Sequence, residues 1–164
     1  MALTLDDLID GMFRSSAIAG SAYFVVNSGP VGSGLAVLIG AYTAWDSYIY
    51  PEKEAEAELS LNDVPADKKE EGKLIVNKLK EIVTETRCAA QVLGALYGTM
   101  YSHQAYVNDD MSALLAGGAI CMGYCGLFLQ SKKHLMDLRK KGEAIYTALD
   151  KSKNGNGTKG HKTG

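Results

Sequence analysis

Apolar side chains are grouped into long runs without basic residues, and charged segments separate these runs. The two clearest are residues 88–107 and 111–131, of 20 and 21 residues, and neither contains Lys or Arg. A helix of this length rises about 1.5 Å per residue and covers roughly 30 Å, the thickness of a bilayer's hydrocarbon core. Residues 108–110, Asn-Asp-Asp, leave room only for a tight turn. The pattern therefore predicts a transmembrane helical hairpin over residues 88–131.

Residues 12–50 repeat this plan with a weaker first half. The second run, residues 31–50, is again free of Lys and Arg, but the run before it contains Arg14. If that first run crosses the membrane, Arg14 must extend to the near surface. Four spans then place both termini and all 17 Lys and Arg on one side, which the positive-inside rule assigns to the cytoplasm or its organellar equivalent. Four spans are favoured, and three remain the alternative.

The segment between the two hairpins, residues 51–87, is charged and predicts cytoplasmic helix. Ser60 to Pro65 indicates a break, with the helix restarting at the proline. Beyond it an apolar stripe recurs at helical spacing: Ile75, Leu79, Ile82 and Thr86. Such a stripe can lie on a membrane or against a partner helix, or can belong to a solvated helix, which is the commonest case.

Three shorter segments complete the chain. Residues 1–11 predict an amphipathic N-terminal helix, with a frayed terminus as the alternative. Residues 132–150 are basic and amphipathic, and residues 151–164, rich in Gly, Asn and Lys, predict a disordered tail. The expected fold is all-α: a multi-pass membrane helical bundle of two antiparallel transmembrane hairpins with amphipathic cytoplasmic helices. A soluble bundle that uses the same runs as core helices is the other class to be tested.

Small residues recur at four-residue spacing in every predicted span. In lipid, such faces let helix backbones approach closely, and packing then drives their association. They predict tight helix contacts, within one chain or between chains. The predicted packing positions are Gly32, Ala36, Gly40 and Ala44 in the second span, Gly94 and Gly98 in the third, and Gly117 and Cys121 in the fourth.

Polar residues inside the spans are the candidate functional residues. Asp46 is the only acid within a predicted span, Gln91 lies at a similar depth and could hydrogen-bond it, and His103 lies near the outer end of the third span. An ionisable residue inside a membrane indicates a functional site by default, such as a proton relay. The aromatic residues around Asp46 instead favour a structural role at the membrane interface.

No catalytic, cofactor or metal motif occurs in the sequence. His103 is predicted on the opposite side of the membrane from the other two histidines, so no bis-histidine haem is expected, and the three cysteines lie at different depths, which disfavours zinc. The basic tail lacks interleaved aromatics, so nucleic acid is not an expected partner. We therefore expect no enzyme activity, no cofactor and no metal.

These features favour a non-enzymatic integral membrane subunit that scaffolds a larger complex. Its expected partners are the lipid bilayer and other membrane subunits or further copies of itself, in a bacterial inner membrane or an organellar membrane. The layout resembles small subunits of secretion or conjugation machines and of respiratory complexes, although no motif identifies a family. The alternative is a small ion, proton or solute transport oligomer that uses Asp46 and the polar face of the third span.

Overall fold

The computed structural model describes residues 4–156, except for the side chains of residues 6, 7, 48 and 152–156. Every element in this range is helical, which confirms the all-α class, and none of residues 4–156 forms a strand. The elements are α1 (Leu5–Asn27), α2 (Pro30–Ala44), a π-helical turn (Trp45–Ile49), α3 (Tyr50–Leu59), a 3-10 turn (Ser60–Asp63), α4 (Lys69–Val107) and α5 (Met111–Asn156).

Two antiparallel hairpins form the body of the protein. α1 and α2 pair through a turn at Ser28 and Gly29, and α4 and α5 pair through a turn at residues 108–110. In the second turn Asp109 has a positive φ of 53°, a conformation that Asp adopts more readily than most residues. α5 packs against both α1 and α4, so the helix order across the bundle is α2, α1, α5, α4.

Several boundaries differ from those that the sequence predicts. The N-terminal helix and the first apolar run form one helix, α1, and α4 joins the charged segment to the third run without a break. α4 begins at Lys69 and not at Pro65: Val64 is extended, and a turn closed by the Lys68 N–H and the Pro65 carbonyl at 3.0 Å lies between the proline and the helix. α5 continues through Asn156, into the predicted disordered tail; the remainder of that tail lies outside the described residues.

A π-helical turn carries the chain from α2 directly into α3. Pro51 lies within this continuous helical path and has no backbone N–H, and its ring crowds the carbonyl one turn earlier. The preceding turn is wider than an α-turn, and the Tyr50 N–H donates to the carbonyl of Trp45, five residues back. Such turns are rare and are often found at functional sites. Here the wide turn carries Asp46.

Glycines set the contacts that α5 makes with its two neighbours. Where α5 meets α4, a Cβ added at Gly98 would lie 2.6 Å from the backbone nitrogen of Cys121 and 2.7 Å from the carbonyl oxygen of Gly117. Where α5 meets α1, a Cβ added at Gly123 would lie 2.6 Å from the carbonyl oxygen of Phe13. These backbones touch, so no larger residue fits at either crossing without moving a helix.

The bundle divides along its length into two parts. The apolar half comprises residues 15–45 and 88–131, whose only charged residues are Asp109 and Asp110 in the turn. The stalk comprises α3, the 69–87 portion of α4 and the 132–156 portion of α5, and it is strongly charged. Its ion pairs connect elements, for example Arg139 of α5 with Glu81 at 3.1 Å and Glu85 at 2.6 Å on α4.

By length and composition, one helix among the described residues is long and apolar enough to cross a membrane: α5, within Met111–Lys151. Only 33% of its most apolar stretch is buried in the protein. The core helix of a soluble protein can meet the same length and composition criteria, although such a helix is mostly buried. This result concerns one helix, whereas the sequence predicts four spans.

Candidate functional site

Asp46 lies at the centre of a buried charge cluster where the apolar half meets the stalk. Its side chain is fully buried, although an isolated carboxylate is costly to remove from water. Arg87 of α4 compensates this cost with two hydrogen bonds: its Nε donates to Oδ1, and its Nη2 donates to Oδ2 at 3.1 Å. This two-point geometry is the strongest form of ion pair between side chains.

A second guanidinium reaches the same carboxylate from α1. Arg14 Nη1 donates to Asp46 Oδ2 at 3.0 Å and to Ser47 Oγ at 2.8 Å, while its Nε donates to Asp10 at 2.5 Å. The sequence suggests that Arg14 extends to the near membrane surface. In the structure its side chain is only 19% exposed and turns inward. Two arginines and two aspartates make the cluster electrically neutral, and they join α1, the π-helical turn and α4.

Aromatic side chains enclose this charge cluster. The Arg87 guanidinium lies 4.1 Å from the centre of the Tyr50 ring, a cation–π contact that strengthens where water is excluded. The Tyr42 hydroxyl donates to the carbonyl oxygen of Arg87 at 3.3 Å, and Trp45 packs between the Tyr42 and Tyr50 rings. The aromatic neighbours of Asp46 therefore pack around its ion pair with Arg87.

Tyrosine hydroxyls connect α2 to the other hairpin within the apolar half. The Tyr124 hydroxyl of α5 lies 2.6 Å from Thr43 Oγ1 and donates to the carbonyl oxygen of Ile39 at 2.9 Å. Tyr97 of α4 donates to the carbonyl oxygen of Gly32 at 3.1 Å. Each hydroxyl satisfies a buried polar group across a helix boundary, which apolar packing alone does not do.

The other two predicted polar residues lie apart from Asp46. Gln91 is fully buried, but its Nε2 donates to Ser131 Oγ at 3.0 Å on α5 instead of to Asp46, and its Oε1 has no hydrogen-bond partner. His103 is exposed near the acidic turn. The structure therefore does not bring the three predicted residues together as one polar site.

The predicted packing positions have different surroundings. Ala36 is fully buried in the core, and the Tyr124 ring covers Gly94 so closely that a Cβ there would lie 2.7 Å from it. A Cβ at Gly32 would lie 2.5 Å from the Tyr101 hydroxyl. Gly40 has only one neighbour near it, at 3.8 Å. Ala44 and Cys121 are half-buried, and Gly117 faces Gly98 and Ser102.

An apolar groove separates α2 from α4 on the outer side of the apolar half. It has a volume of about 710 Å³, and Leu35 and Leu38 form one wall while Leu93, Leu96 and Met100 form the other. At the stalk end of the groove the Asp46–Arg87 ion pair joins the π-helical turn after α2 to α4. Within the apolar half the Tyr97 hydroxyl of α4 joins the same two helices. The bundle is therefore open on one side.

Within residues 4–156 no three His, Cys, Asp or Glu side chains come close enough together to hold a metal ion. Comparison with protein-family models, with curated proteins and with solved structures finds no match to this chain. The candidate site is therefore defined by its own geometry: a neutral ion-pair cluster, centred on the buried Asp46 carboxylate, that joins α1, the π-helical turn and α4 at one level.

Sequence reasoning identifies Asp46 but misses both of its partners. Arg14, Asp46 and Arg87 are far apart in the chain, and the sequence around each of them does not identify the other two as its partners. The three residues nevertheless share one feature of the sequence that points to their pairing: each lies at the stalk-side end of an apolar run. In antiparallel hairpins these ends share one level, so opposite charges there are candidate partners.

Proposed function

We propose that this protein is a non-enzymatic integral membrane subunit in which two transmembrane hairpins anchor a charged cytoplasmic stalk that scaffolds a larger complex. The observation that carries the proposal is the distribution of apolar surface. In the apolar half many large apolar side chains point outward around a small buried core of Phe24, Ile120 and Leu127, while several hydroxyls, the Gln91 amide and the contact glycines lie between the helices. The most exposed are Val26, Val31, Leu38, Leu93, Met100, Leu115, Met122 and Leu129, each at least 66% exposed.

Such a surface is costly in water and favourable in hydrocarbon. At about 25 cal/mol per Å², a contiguous apolar belt around several helices favours transfer out of water, and soluble proteins rarely expose contiguous apolar patches this large. The charge-free part of the bundle ends at Arg14, Asp46 and Arg87 on the stalk side and at the acidic turn on the far side. Its charge-free length matches the predicted spans.

The placement of basic residues supports the orientation. Lys132 and Lys133 follow the fourth run directly, and the stalk carries most of the other basic residues, whereas neither turn at the far end contains one. The positive-inside rule then places the stalk and both termini in the cytoplasm or its equivalent. A charged stalk of three helices that projects from a membrane anchor is suited to binding other subunits.

A topology experiment tests the membrane part of the proposal. Single cysteines are introduced at Gly29 and Asn108 in the two turns and at Glu56 in the stalk, after the native Cys88, Cys121 and Cys125 have been replaced by alanine. In intact cells, a membrane-impermeant thiol reagent should label both turns and should reach Glu56→Cys only after permeabilisation. Labelling of Gly29→Cys only after permeabilisation would contradict a crossing by the first hairpin.

Affinity purification from native membranes tests the scaffold part. Other membrane subunits should co-purify in a fixed ratio, and the protein should stay in the pellet after carbonate extraction. The transport alternative receives no support from Asp46, because both of its carboxylate oxygens are paired and its side chain has no contact with water. Ion leakage through purified protein in liposomes would favour that alternative over the scaffold.

A further inference from the structure

One face of α4 carries an apolar seam that no other described helix covers. In the stalk, Ile75, Leu79 and Ile82 are 61%, 57% and 58% exposed. The opposite face of α4 is the one that packs on α5, where Asn77 is buried and its Nδ2 donates to the carbonyl oxygen of Leu138 at 2.9 Å. Leu79 and Ile82 are therefore turned away from the rest of the chain, and Ile75 borders a shallow cavity that Tyr146 of α5 also lines.

The seam follows a heptad repeat that continues from the stalk into the apolar half. Its spacing alternates between four and three residues, the pattern of positions d and a in a coiled coil. From Ile75 to Met100 the helix rises about 38 Å at 1.5 Å per residue. The d positions are Ile75, Ile82, Ala89 and Leu96, and the a positions are Leu79, Thr86, Leu93 and Met100, all of them exposed.

The bilayer is not a suitable occupant for the stalk part of this seam. α4 is a single helix from Lys69 to Val107. If its apolar half spans a membrane, the stalk portion continues outward from the surface and cannot lie flat on it. The occupant is therefore a helix that runs beside α4 through both environments. A second copy of this chain meets this requirement, because its own seam passes from the stalk into the apolar half at the same residues.

Charges beside the seam favour parallel copies. In the heptad register, one flank of the seam carries Glu71, Lys78 and Glu85, and the other carries the uncharged Val76 and Val83. In a parallel pair, the charged flank of one helix lies against the apolar flank of the next, so no like charges meet. In an antiparallel pair the charged flanks would face each other, and Lys78 and Glu85, already paired with Glu81 and Arg139 within the chain, would meet the same groups of the other copy.

We propose that α4 is a self-association surface through which further copies of this chain pack in parallel along the Ile75–Met100 seam. The inference rests on the proposed membrane insertion and names one partner of the scaffold as the protein itself. It also accounts for the open groove, because Leu93, Leu96 and Met100 belong both to the seam and to the groove wall. One neighbouring helix therefore covers both exposed features.

Disulfide trapping in native membranes tests the register and direction. In the background without native cysteines, Ile75→Cys and Ile82→Cys should each form a disulfide-linked dimer of this chain on mild oxidation. Parallel packing places each residue opposite its own copy, whereas an antiparallel pair can trap only one of the two positions. The matched control is Glu70→Cys, exposed on the same helix but outside the seam. Cross-linking equal to this control at both seam positions would overturn the proposal.

A second experiment measures the mass of the purified protein in mild detergent. The wild-type protein should contain more than one copy, and Leu79→Lys with Ile82→Lys should reduce it to a single copy while its helix content by circular dichroism is unchanged. The control Met136→Lys adds a charge at a 51% exposed apolar side chain on α5 and should leave the mass unchanged. A wild-type mass that persists in the seam variant would overturn the proposal.

Either of these two experiments can give a negative result while the test of the proposed function gives a positive one. Disulfide trapping and mass count copies of this chain, whereas topology labelling and co-purification concern the membrane and other proteins. A protein that inserts and co-purifies with other subunits but shows no seam disulfide retains the scaffold function and loses this inference.

Discussion

Arg87 and Asp46 are 41 residues apart in the chain and form a two-point ion pair inside the protein. Because Arg14 binds the same carboxylate, removing the negative charge leaves two buried guanidinium groups facing each other. Breaking a buried pair by removing one partner typically costs about 3–5 kcal/mol. Asp46→Asn should therefore strongly lower the free energy of unfolding, measured by chemical denaturation in detergent.

The control for this variant is Asp10→Asn, which removes an acid from the same cluster at a side chain that is 32% exposed. Partly exposed pairs contribute about 0–1 kcal/mol, so this variant should remain close to the wild type. If Asp46→Asn keeps wild-type stability, the cluster is not a structural fastening. Loss of ion transport at unchanged stability would then favour the transport alternative.

The backbone contact at Gly98 gives a prediction about helix packing. A Cβ there would lie 2.6 Å from a backbone nitrogen of α5, and backbone cannot move aside as a side chain can. Gly98→Ala should lower the stability by about 1–3 kcal/mol through overpacking. Gly118→Ala is the matched control on α5, since nothing lies within 4 Å of its Cβ position. That change should be neutral or stabilising by up to about 1 kcal/mol, because alanine favours helix.

The hydroxyl of Tyr124 should contribute separately from its ring. Tyr124→Phe keeps the ring over Gly94 and removes the contacts with Thr43 and with the carbonyl oxygen of Ile39. A net loss of about 0.5–1.5 kcal/mol is expected, because Thr43 and the Ile39 carbonyl keep the hydrogen bond between them and lose only the one with Tyr124. Tyr146→Phe, at a side chain that is 65% exposed, should change the stability little. Thermal unfolding followed by circular dichroism measures both, and equal effects would contradict this role of Tyr124.

Acidity should weaken the stalk through its glutamates. A hydrogen bond from Lys78, followed by one from Arg139, holds the pKa of Glu81 below its ordinary value of 4.5. A carboxyl whose pKa is lower in the folded state stabilises the fold above its unfolded pKa, and that contribution is lost as pH falls through the folded pKa. The unfolding temperature should therefore fall as pH is lowered from 6 to below 4.5. Glu81→Gln should reduce that fall, and an identical pH profile would count against the Glu81 contribution.

The residues at the stalk seam give an expectation for the number of copies. Leucine at a with isoleucine at d, as in Leu79 with Ile75 and Ile82, favours three- or four-stranded coiled coils over pairs. Mass measurement of the wild-type protein in mild detergent should therefore give three or four copies. A stable dimer that the seam lysines dissociate would keep the self-association surface and contradict this count.

The sequence predicts helix positions well because they depend on local periodicity. The two hairpin turns, the helical character of residues 12–50 and the apolar first half of α5 can all be read from runs and breaks in the chain. The helix starts are less predictable where proline intervenes. Pro51 lies inside a helical path because the turn before it widens, and a helix begins only four residues beyond Pro65.

Contacts between helices are predicted less well, because they depend on which helices become neighbours. Every apolar run offers small residues, so the pattern alone does not distinguish Gly98, which touches the α5 backbone, from Gly40, whose added Cβ would make only one ordinary contact, at 3.8 Å. The sequence does not reveal the partners of Asp46 for the same reason. The stripe at Ile75, Leu79 and Ile82 is visible in the sequence, but its exposure is known only once α5 is placed on the other side of α4.

The unbroken course of α4 has a mechanical consequence. Its 39 residues form a rod about 58 Å long with no proline or wide turn within it. Since a straight helix has no hinge, a force that displaces the stalk end must also tilt the end inside the apolar half. The rod turns about the tight crossing of Gly98 with Gly117, where the two backbones cannot separate without losing their contact. A subunit bound at the stalk can therefore alter the width of the groove without touching it, most of all near Ala90, which lies about 12 Å along the helix from the crossing.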